Sequence, residues 1–260
     1  MSPNWIALDG VVNMRDVGGL ATADGHRIRT GRLIRSDNLQ DLTAADVRHL
    51  VDGLGITDVV DLRTHTEFTV TGPGPLRATR LRHHHHSLMP ADDRPLDERE
   101  ASASLERWSR ANVPRRPDAD YWSQHYLGYL HDRPDSVAAA LEVIASSAGG
   151  TIVHCAAGKD RTGTVVGLAL SAVGVADEDI VADYLASAER IDAILGRLVG
   201  VPPYDITMDG TTVANQTPRA ESMEQILHAL REGFGGAAGW LRAAGWSEAN
   251  LAELHASLVG

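Results

Sequence analysis

The sequence predicts an α/β fold with a mostly parallel central sheet flanked by helices, and three observations support this. Short, branched apolar runs typical of buried strands lie at residues 56–62 and 151–154. Segments with helical periodicity alternate with these strands along the chain. The chain has 260 residues, 43% of them apolar and 23% charged, which indicates a globular protein. We therefore predict a single domain over residues 1–260.

The first part of the chain combines strand and turn signals with one helix. Residues 11–35 alternate glycines with short apolar stretches, which is typical of short strands and turns. Residues 42–54 have the apolar periodicity of an amphipathic helix. We predict that Thr43 caps the start of this helix and that Gly55 ends it.

A second helix is predicted shortly after the strand at 56–62. Thr64 and Glu67 have the spacing of a capping box, which indicates that a short helix begins there. Arg63 stands four residues before Glu67, so we expect an ion pair between these two side chains. A further strand is predicted at residues 76–86.

Residues 87–118 differ from the rest of the chain because they are polar, charged and rich in proline. We interpret them as a variable flap or insertion within the domain rather than as a linker. Helical patterns follow at 119–131 and 135–147. Beyond the strand at 151–154, another helix is predicted at 161–173.

The last third of the chain is predicted to be helical apart from one loop. A helix begins at Asp177, and residues 200–218, which contain three prolines, are loop-like. Residues 219–260 contain two or three short helices separated by glycines. In a mostly parallel sheet, ligands bind beyond the carboxyl ends of the strands. The loop after residues 151–154 is therefore the candidate site.

Composition excludes several classes of function. The net charge of −11 opposes binding to nucleic acid and to anionic membranes. No segment has the roughly 20 apolar residues of a membrane helix, so no integral membrane segment is expected. The first residues do not resemble a signal peptide, so we expect a cytoplasmic protein, although export without a classical signal stays open. A single cysteine excludes a disulfide framework and a cysteine-rich zinc site.

A run of four histidines, His83–His86, is the one segment that suggests a metal site. In a strand, alternate side chains point to opposite faces, so only two of the four rings could share an ion. We therefore predict neither a metal nor another cofactor. The sequence does not predict the oligomeric state.

The candidate site is the loop HCAAGKDRTG at residues 154–163, which runs from a strand end into a helix. The backbone N–H groups of such a loop, together with the helix dipole, form a nest for an anion. The planar guanidinium of Arg161 matches two oxygens of a phosphate. Among these dipoles, Cys155 is expected to have a lowered pKa and to act as a nucleophile on phosphorus. The residues expected to bind phosphate are Ala156, Ala157, Gly158, Lys159, Asp160 and Arg161.

This loop resembles the signature of the cysteine-dependent protein tyrosine phosphatases, in which His-Cys is followed by five residues, Arg, and Ser or Thr. It is most similar to a mycobacterial branch of bacterial tyrosine/serine phosphatases. The likeness extends to NMRDVGGL at residues 13–20, where Met14 replaces an aromatic residue, and to four further segments: GRLIRSDNL, LGITDVVDLRTHTE, DEDIVADYL and GGAAGWLRAAG. The resemblance implies a protein tyrosine phosphatase-like fold with a helical lid near residues 200–230. Residues 87–118 carry no recognised motif.

The resemblance also implies roles for individual residues of the loop. Cys155 would be the nucleophile and Arg161 the phosphate clamp. His154 would orient the cysteine, and Thr162 would assist release of the thiol. Near the N-terminus, three polar residues are expected to brace the sheet or the wall of the pocket, with direct contact to the substrate as the alternative: Asn13, Arg15 and Asp16.

The general acid is less well determined than the nucleophile. The Trp-Pro-Asp motif of larger eukaryotic family members is absent, and the resemblance implies Asp160 as the acid. From the residues alone, Asp160 could instead be an N-cap or a first-turn carboxylate of the helix. Asp61, at the end of a strand, is a rival acid, although an ion-paired structural carboxylate is the plainer interpretation.

The activity implied by the resemblance is hydrolysis of phosphotyrosine, with release of inorganic phosphate. Phosphorylated proteins are the expected partners, and phosphoserine, phosphothreonine and phosphoinositides are further candidate substrates, because Lys159 adds positive charge as in phosphoinositide phosphatases. Two other functions stay open at this point. One is a catalytically inactive module that binds phosphorylated ligands, and the other is a sulfurtransferase or arsenate reductase that uses the same cysteine loop.

Overall fold

Six strands form one sheet in the computed structural model, which describes residues 2–89, 97, 99–100, 119–204 and 212–260. The strands are β1 (Asn4–Trp5), β2 (Arg15–Asp16), β3 (Leu33–Ser36), β4 (Ile56–Asp61), β5 (Arg82–His85) and β6 (Gly150–His154). Their spatial order is β1-β2-β3-β6-β4-β5. Strands β1 and β2 pair antiparallel with each other, as do β2 and β3, and the other neighbours are parallel.

Helices cover both faces of this sheet, so the predicted α/β class with a mostly parallel sheet is confirmed. The described helices are α1 (Ala44–Arg48), α2 (His65–Thr71), α3 (Ala119–Asp132), α4 (Pro134–Ser146), α5 (Asp160–Ala172), α6 (Asp177–Ala186), α7 (Ile191–Leu198), α8 (Val213–Gln216), α9 (Ala220–Phe234), α10 (Ala237–Ala243) and α11 (Glu248–Leu258). Helix α1 continues as a π-helical turn at His49–Gly53, and short 3₁₀ turns lie at Pro75–Ala78 and Ser187–Arg190.

The central strands are apolar on both faces because each face has its own core. Val60 and Val153 belong to the larger core, to which α3, α4, α5, α6, α9, α10 and α11 contribute. The adjacent Val59 and Ile152 point the other way, into a smaller core shared with α1 and its π-helical turn. This two-sided burial explains why β4 and β6 have continuous rather than alternating apolar residues.

The topology brings three strand ends together at one edge of the sheet. Strand β6 lies between β3 and β4, and all three run parallel. His154, the last residue of β6, is in register with Ser36 of β3 and with Asp61 of β4. The segments that follow these residues therefore converge on the loop after β6, which is where the sequence predicts the site.

Local signals predict the starts of the early helices correctly. Thr43 and Thr64 each cap a helix through a complete capping box. The predicted strand at 76–86 is wrong over its first half, because Pro75 begins a 3₁₀ turn and only Arg82–His85 pairs with β4. The fixed φ of proline suits the first position of a helical turn, and this turn occupies residues through Ala78, so the strand begins only after it.

The helix predicted from Asp177 begins there but is interrupted. It ends at Ala186 and resumes at Ile191 after a 3₁₀ turn. The interruption begins at Ser187, whose hydroxyl accepts hydrogen bonds from Asn13 and Arg15.

Two further expectations concern the second half of the chain. The tail contains three helices, of which α9 has 15 residues and is longer than predicted. Of the predicted flap at 87–118, residues 90–96, 98 and 101–118 lie outside the described residues. Within the described part of the chain, no helix combines the length and the hydropathy needed to cross a bilayer.

Candidate active site

The loop from Cys155 to Lys159 connects β6 directly to α5. Gly158 makes the tight turn of this loop, because its φ of +67° lies in the left-handed region. A Cβ atom at Gly158 would also lie 2.5 Å from the backbone of Ser36 and Asp37. The sequence therefore folds the loop against the end of β3, and only glycine meets both requirements.

The carbonyl groups of the loop are held from outside. The Asn38 amide donates to the carbonyl of Ala156 at 3.0 Å, the Asn13 side chain to that of Ala157 at 2.9 Å, and Arg35 to that of Gly158 at 2.9 Å. Among the described residues, no acceptor binds the backbone N–H groups of residues 156–161. With the carbonyls turned outward, these amides form an anion nest at the N-terminus of α5.

The N-terminal brace that the sequence predicts is present. Besides holding Ala157, Asn13 accepts a hydrogen bond from Arg15 at 2.8 Å. Arg15 and Arg35, both buried, bind the partly buried carboxylate of Asp183. Asp16 acts separately, because its carboxylate binds the amides of the neighbouring turns, Gly18 at 2.8 Å and Gly31 at 2.6 Å.

Arg161 is held by a carboxylate that the sequence analysis assigned to another partner. Its Nη1 and Nη2 atoms donate to the two oxygens of Glu67 at 2.5 and 2.8 Å. The predicted ion pair between Arg63 and Glu67 is wrong, because Arg63 binds Asp61 with its Nη2 atom at 2.5 Å. Glu67 and Arg161 follow adjacent parallel strands, so the topology brings them together.

This pairing leaves Arg161 a defined set of free donors. Nη1 also donates to the carbonyl of Leu62 at 3.4 Å. The guanidinium has five N–H groups, so Nε–H and one Nη2–H have no acceptor among the described residues. Those two groups lie on one edge of the guanidinium and match two phosphate oxygens. Burial would lower the pKa of Arg161, but Glu67 and then Cys155 raise it well above its ordinary value.

Cys155 lies at the base of the nest and is 1% exposed. The ring of the preceding His154 forms no hydrogen bond with the sulfur of Cys155. Its Nδ1 atom lies 3.3 Å from the carbonyl oxygen of Cys155. Burial lowers the pKa of His154 to about 4 against the opposing effect of Asp61, so the ring is neutral at pH 7. His154 thus shapes the backbone at Cys155 without placing a positive charge beside the thiol.

The two candidate acids differ in their surroundings. Burial favours the neutral form of Asp61, but His154 and Arg63 hold the pKa of its carboxyl well below the usual range. Asp160, the first residue of α5, accepts a hydrogen bond from Tyr126, and its side chain is 19% exposed. Lys159 is the N-cap of α5, so Asp160 is not a cap but a first-turn carboxylate, which was the other structural interpretation of this residue.

Lys159 is buried and its ammonium group is held at the rim of the loop. Its Nζ donates to the carbonyl oxygen of Gln216 at 2.5 Å and to the side-chain oxygen at 3.1 Å. It also lies 3.4 Å from Asp160 Oδ1 and 4.8 Å from the centre of the Trp122 ring. Its charge is therefore close to the nest, in contact with α8 and α3.

Thr162 and helix α7 complete the surroundings of the loop. The hydroxyl of Thr162 is buried, has no hydrogen-bond partner among the described residues and could donate to a thiolate. Apolar side chains of α7 and Tyr204 pack against Ala156 and Ala157. Of the segment at 200–230, residues 205–211 lie outside the described residues and α9 is part of the main helical layer. The helical lid therefore stays a prediction.

The four histidines of residues 83–86 lie on or directly after the edge strand β5, which β4 separates from β6, and most of their rings have protein partners. His83 contacts the carbonyl of Leu76, and His85 that of Arg63. His84 contacts the buried carboxylate of Asp58 at 2.9 Å. In the described part of the chain, no three His, Cys, Asp or Glu side chains are grouped as metal ligands.

Sequence reasoning missed the outer partners of the loop. Glu67 was interpreted as part of a capping box and as a partner of Arg63, and nothing in the helical pattern of 119–131 or in the loop predicted at 200–218 distinguished Tyr126 or Gln216. Their contacts arise from packing between distant helices. Only the placement of Glu67 after a strand adjacent to β6 could have indicated a role at the site.

The loop between strand and helix holds its carbonyl groups outward, so that its backbone N–H groups form a nest around a buried thiol. This arrangement defines the class of the protein tyrosine phosphatases. Comparison with known proteins narrows the class to a family. A family model described as "Tyrosine phosphatase family" matches residues 6–260. The chain therefore belongs to the tyrosine phosphatase family.

The relatives cover nearly all of the chain. The triple specificity protein phosphatase PtpB of Mycobacterium tuberculosis is 31% identical over 97% of this chain and 98% of its own length. A protein of Cupriavidus necator, whose name assigns it to the tyrosine-protein phosphatases, is 34% identical over 96% of this chain and 86% of its own. A tyrosine-protein phosphatase of Nostoc commune is 30% identical over 86% of this chain and 73% of its own.

Proposed function

We propose that this protein hydrolyses phosphate monoesters, phosphotyrosine first among them, through a cysteinyl-phosphate intermediate. The observation that carries the proposal is the donor set around Cys155. The amides of residues 156–161 and two N–H groups of Arg161 have no acceptor among the described residues. Together they match the equatorial oxygens of a phosphoryl group under attack.

In the first step, the thiolate of Cys155 attacks phosphorus as the bond between phosphorus and the leaving oxygen breaks. The loop amides and Arg161 stabilise the charge on the equatorial oxygens. Asp160 donates a proton to the leaving oxygen, so that the alcohol or phenol departs neutral.

In the second step, water attacks the cysteinyl phosphate. The Asp160 carboxylate accepts a proton from this water, the bond between sulfur and phosphorus breaks, and inorganic phosphate forms. Thr162 donates a hydrogen bond to the departing thiolate. The site then returns to its starting state, with Asp160 protonated and Cys155 ionised.

Asp160 is a better candidate than Asp61 for the acid. Asp61 is bound by Arg63 through three side-chain contacts of 2.5 to 3.1 Å. A carboxylate held in this way stays ionised at neutral pH and has no proton to donate. Asp160 is partly exposed on the loop itself, where a leaving group would lie.

Phosphotyrosine is the proposed principal substrate, with phosphoserine, phosphothreonine and phosphoinositides as further substrates. The name of the M. tuberculosis relative, a triple specificity phosphatase, supports a broad range. The charge of the buried Lys159 ammonium, 3.4 Å from Asp160 Oδ1, supports a preference for substrates that carry additional anionic groups.

The proposal is tested with para-nitrophenyl phosphate in the absence of added metal, in the wild type and in Cys155→Ser. We expect wild-type turnover, no turnover in the variant, and vanadate binding in both. Phosphoryl transfer to the wild-type protein should be seen by mass spectrometry after rapid acid quenching. Full activity of Cys155→Ser would contradict the mechanism.

A wild type that binds vanadate without turning over any phosphoester would instead indicate a binding module. Sulfur transfer from thiosulfate would indicate the other alternative. A panel of phosphopeptides and phosphoinositides, run on the wild type and on Cys155→Ser, ranks the substrate classes.

The assignment of the acid is tested with Asp160→Asn. If Asp160 protonates the leaving group, this variant should slow phenyl phosphate at least ten-fold more than para-nitrophenyl phosphate, whose leaving group needs less protonation. Equal losses on the two esters would argue against Asp160. Asp61→Asn is the comparison variant, and it should lower both rates alike through loss of the Arg63 pairing.

A further inference from the structure

Two buried tyrosines connect the helical layer to the Asp160 carboxyl. The Tyr126 hydroxyl of α3 donates a hydrogen bond to Asp160 Oδ1. The Tyr184 hydroxyl of α6 lies 3.0 Å from that of Tyr126. Each tyrosine is 1% exposed, so both hydroxyls are separated from bulk solvent.

The direction of the two hydrogen bonds follows from the number of protons. Tyr126 has one hydroxyl hydrogen and gives it to the carboxylate, so Tyr184 must donate to Tyr126. Burial raises the pKa of Tyr126 well above its ordinary value, and that of Tyr184 is also raised, chiefly by burial. Both phenols therefore stay neutral, and the chain donates toward Asp160 at any working pH.

The carboxyl of Asp160 is contacted on one oxygen only. Among the described residues, its polar side-chain contacts are those of Tyr126 and, at 3.4 Å, Lys159, and both involve Oδ1. This orientation leaves Oδ2 as the oxygen that carries and donates the proton.

Other ionisable groups face Asp160 from each element packed against it. They are Tyr121, His125, Tyr126 and Tyr129 of α3, Tyr184 of α6, and Lys159 and Arg161 beside it in the loop and α5. Burial lowers the pKa of His125, and Asp160 opposes this. Of this set, only Tyr126 makes a hydrogen bond to the carboxyl.

We propose that Tyr126, supported by Tyr184, is a positioning residue that orients the Asp160 carboxyl for proton transfer and favours its ionised form. The proposal rests on the proposed function. A donor to the carboxylate favours the ionised form, which Asp160 adopts after protonating the leaving group and uses when it accepts a proton from water. The second hydrogen bond, from Tyr184, polarises the first and strengthens it.

Tyr126→Phe tests this proposal through the pH dependence of kcat/KM for phenyl phosphate. Without the hydroxyl donor, Asp160 should keep its proton to a higher pH, so the alkaline limb should move up by about one pH unit. The acid limb should not move. Tyr184→Phe, which acts only through Tyr126, should move the alkaline limb in the same direction by less.

Ser123→Ala is the matched control because it removes a buried hydroxyl from the same helix. Ser123 binds Gln225 of α9 and the carbonyl of Asp120, and not the loop. This variant should leave both limbs in place. A purely structural role for Tyr126 would lower the rate without moving a limb, as any general weakening of α3 would.

Combination with Asp160→Asn gives a second, independent readout. If Tyr126 acts through Asp160, then Tyr126→Phe should change kcat/KM less than two-fold in the Asp160→Asn background. Two results would overturn the positioning role while leaving the phosphatase proposal intact. One is an alkaline limb that does not move in Tyr126→Phe, and the other is a loss of kcat/KM in the Asp160→Asn background as large as in the wild-type background. A wild type that hydrolyses neither ester would overturn both. If Tyr126→Phe does not fold, the pH profile of Tyr184→Phe is the test. An alkaline limb that moves to higher pH supports the positioning role, and one that does not move contradicts it.

Discussion

The carboxylate of Glu67 both caps a helix and binds Arg161. Oε2 accepts the Thr64 amide at 2.7 Å and so completes the capping box that begins α2. Both oxygens also bind Arg161. Burial would raise the pKa of Glu67, but Arg161 above all lowers it. The negative charge that orients Arg161 is therefore the Glu67 carboxylate, and its position depends on the capping box that begins α2.

Glu67→Gln separates the two tasks, because glutamine can complete a capping box but carries no charge. We expect kcat/KM for para-nitrophenyl phosphate to fall about 10- to 100-fold, since the guanidinium loses its bidentate carboxylate partner. Vanadate should bind more weakly by a similar factor. Steady-state kinetics and vanadate inhibition measure both effects.

The matched control is Glu142→Gln on the outer face of α4, which should change neither quantity. Unchanged kinetics in Glu67→Gln would show that Arg161 is oriented without its carboxylate partner.

At this scale, sequence reasoning placed Cys155 and Arg161 in one loop because a contiguous motif holds them. It paired Glu67 with the wrong arginine, because spacing along a helix does not report which side chain arrives from another strand. The contacts of Tyr126 with Asp160 were likewise invisible, since they join residues 34 positions apart.

Two capping boxes show how local signals specify elements. Thr43 accepts the amide of Asp46 at 3.2 Å, and Thr64 accepts that of Glu67 at 3.0 Å. The box at Thr64 was predicted from the spacing of two residues, and at Thr43 the sequence predicted the cap but not the box. Where an element depends on distant contacts, as in the break at Ser187, the sequence predicted one continuous helix instead.

The pair Thr43→Ala and Thr64→Ala should separate stability from activity. Loss of either cap should lower the free energy of unfolding by about 1 kcal/mol. Only Thr64→Ala should also lower kcat/KM, by roughly three- to ten-fold, because it loosens the turn that carries Glu67. Urea unfolding and steady-state kinetics on the two variants give the comparison. Equal kinetics in both variants would argue that the cap and the site are independent.

For the molecule as a whole, buried ionisable groups tie stability to pH. Burial lowers the pKa of His154 and of His86 to about 4. In the unfolded chain each would titrate near the ordinary value of about 6.5. The unfolded state therefore binds protons first as the pH falls, and stability is lost between about pH 6.5 and pH 4.

We expect the free energy of unfolding to fall across this window by roughly 2–3 kcal/mol for the fully buried His154, and by about 1 kcal/mol for the partly exposed His86. His86→Gln should reduce the pH dependence of the free energy of unfolding by the contribution of His86. His131→Gln, at a side chain that is 89% exposed, should not. Urea titrations at pH 7.5, 5.5 and 4.5 measure the slopes, and an identical slope in His86→Gln would contradict the assignment.

More of the architecture than of the contacts between distant residues could be predicted from the sequence. Alternation of strand and helix signals gave the α/β class and the edge at which the site lies, because parallel strands impose that edge. The antiparallel pairing of β1 with β2 was not predicted, since two-residue strands have no periodicity to detect. Packing of α7 and Tyr204 against the loop joins residues that are distant along the chain and was also not predicted from the sequence.

The single sulfhydryl makes this protein its own reporter. A thiol-selective reagent such as iodoacetamide can add only at Cys155, so one added mass per chain reports that the interior of the nest has opened to a small electrophile. Because Cys155 is almost fully covered, the alkylation rate depends on how often that opening occurs, and its measurement requires neither an engineered label nor a substrate.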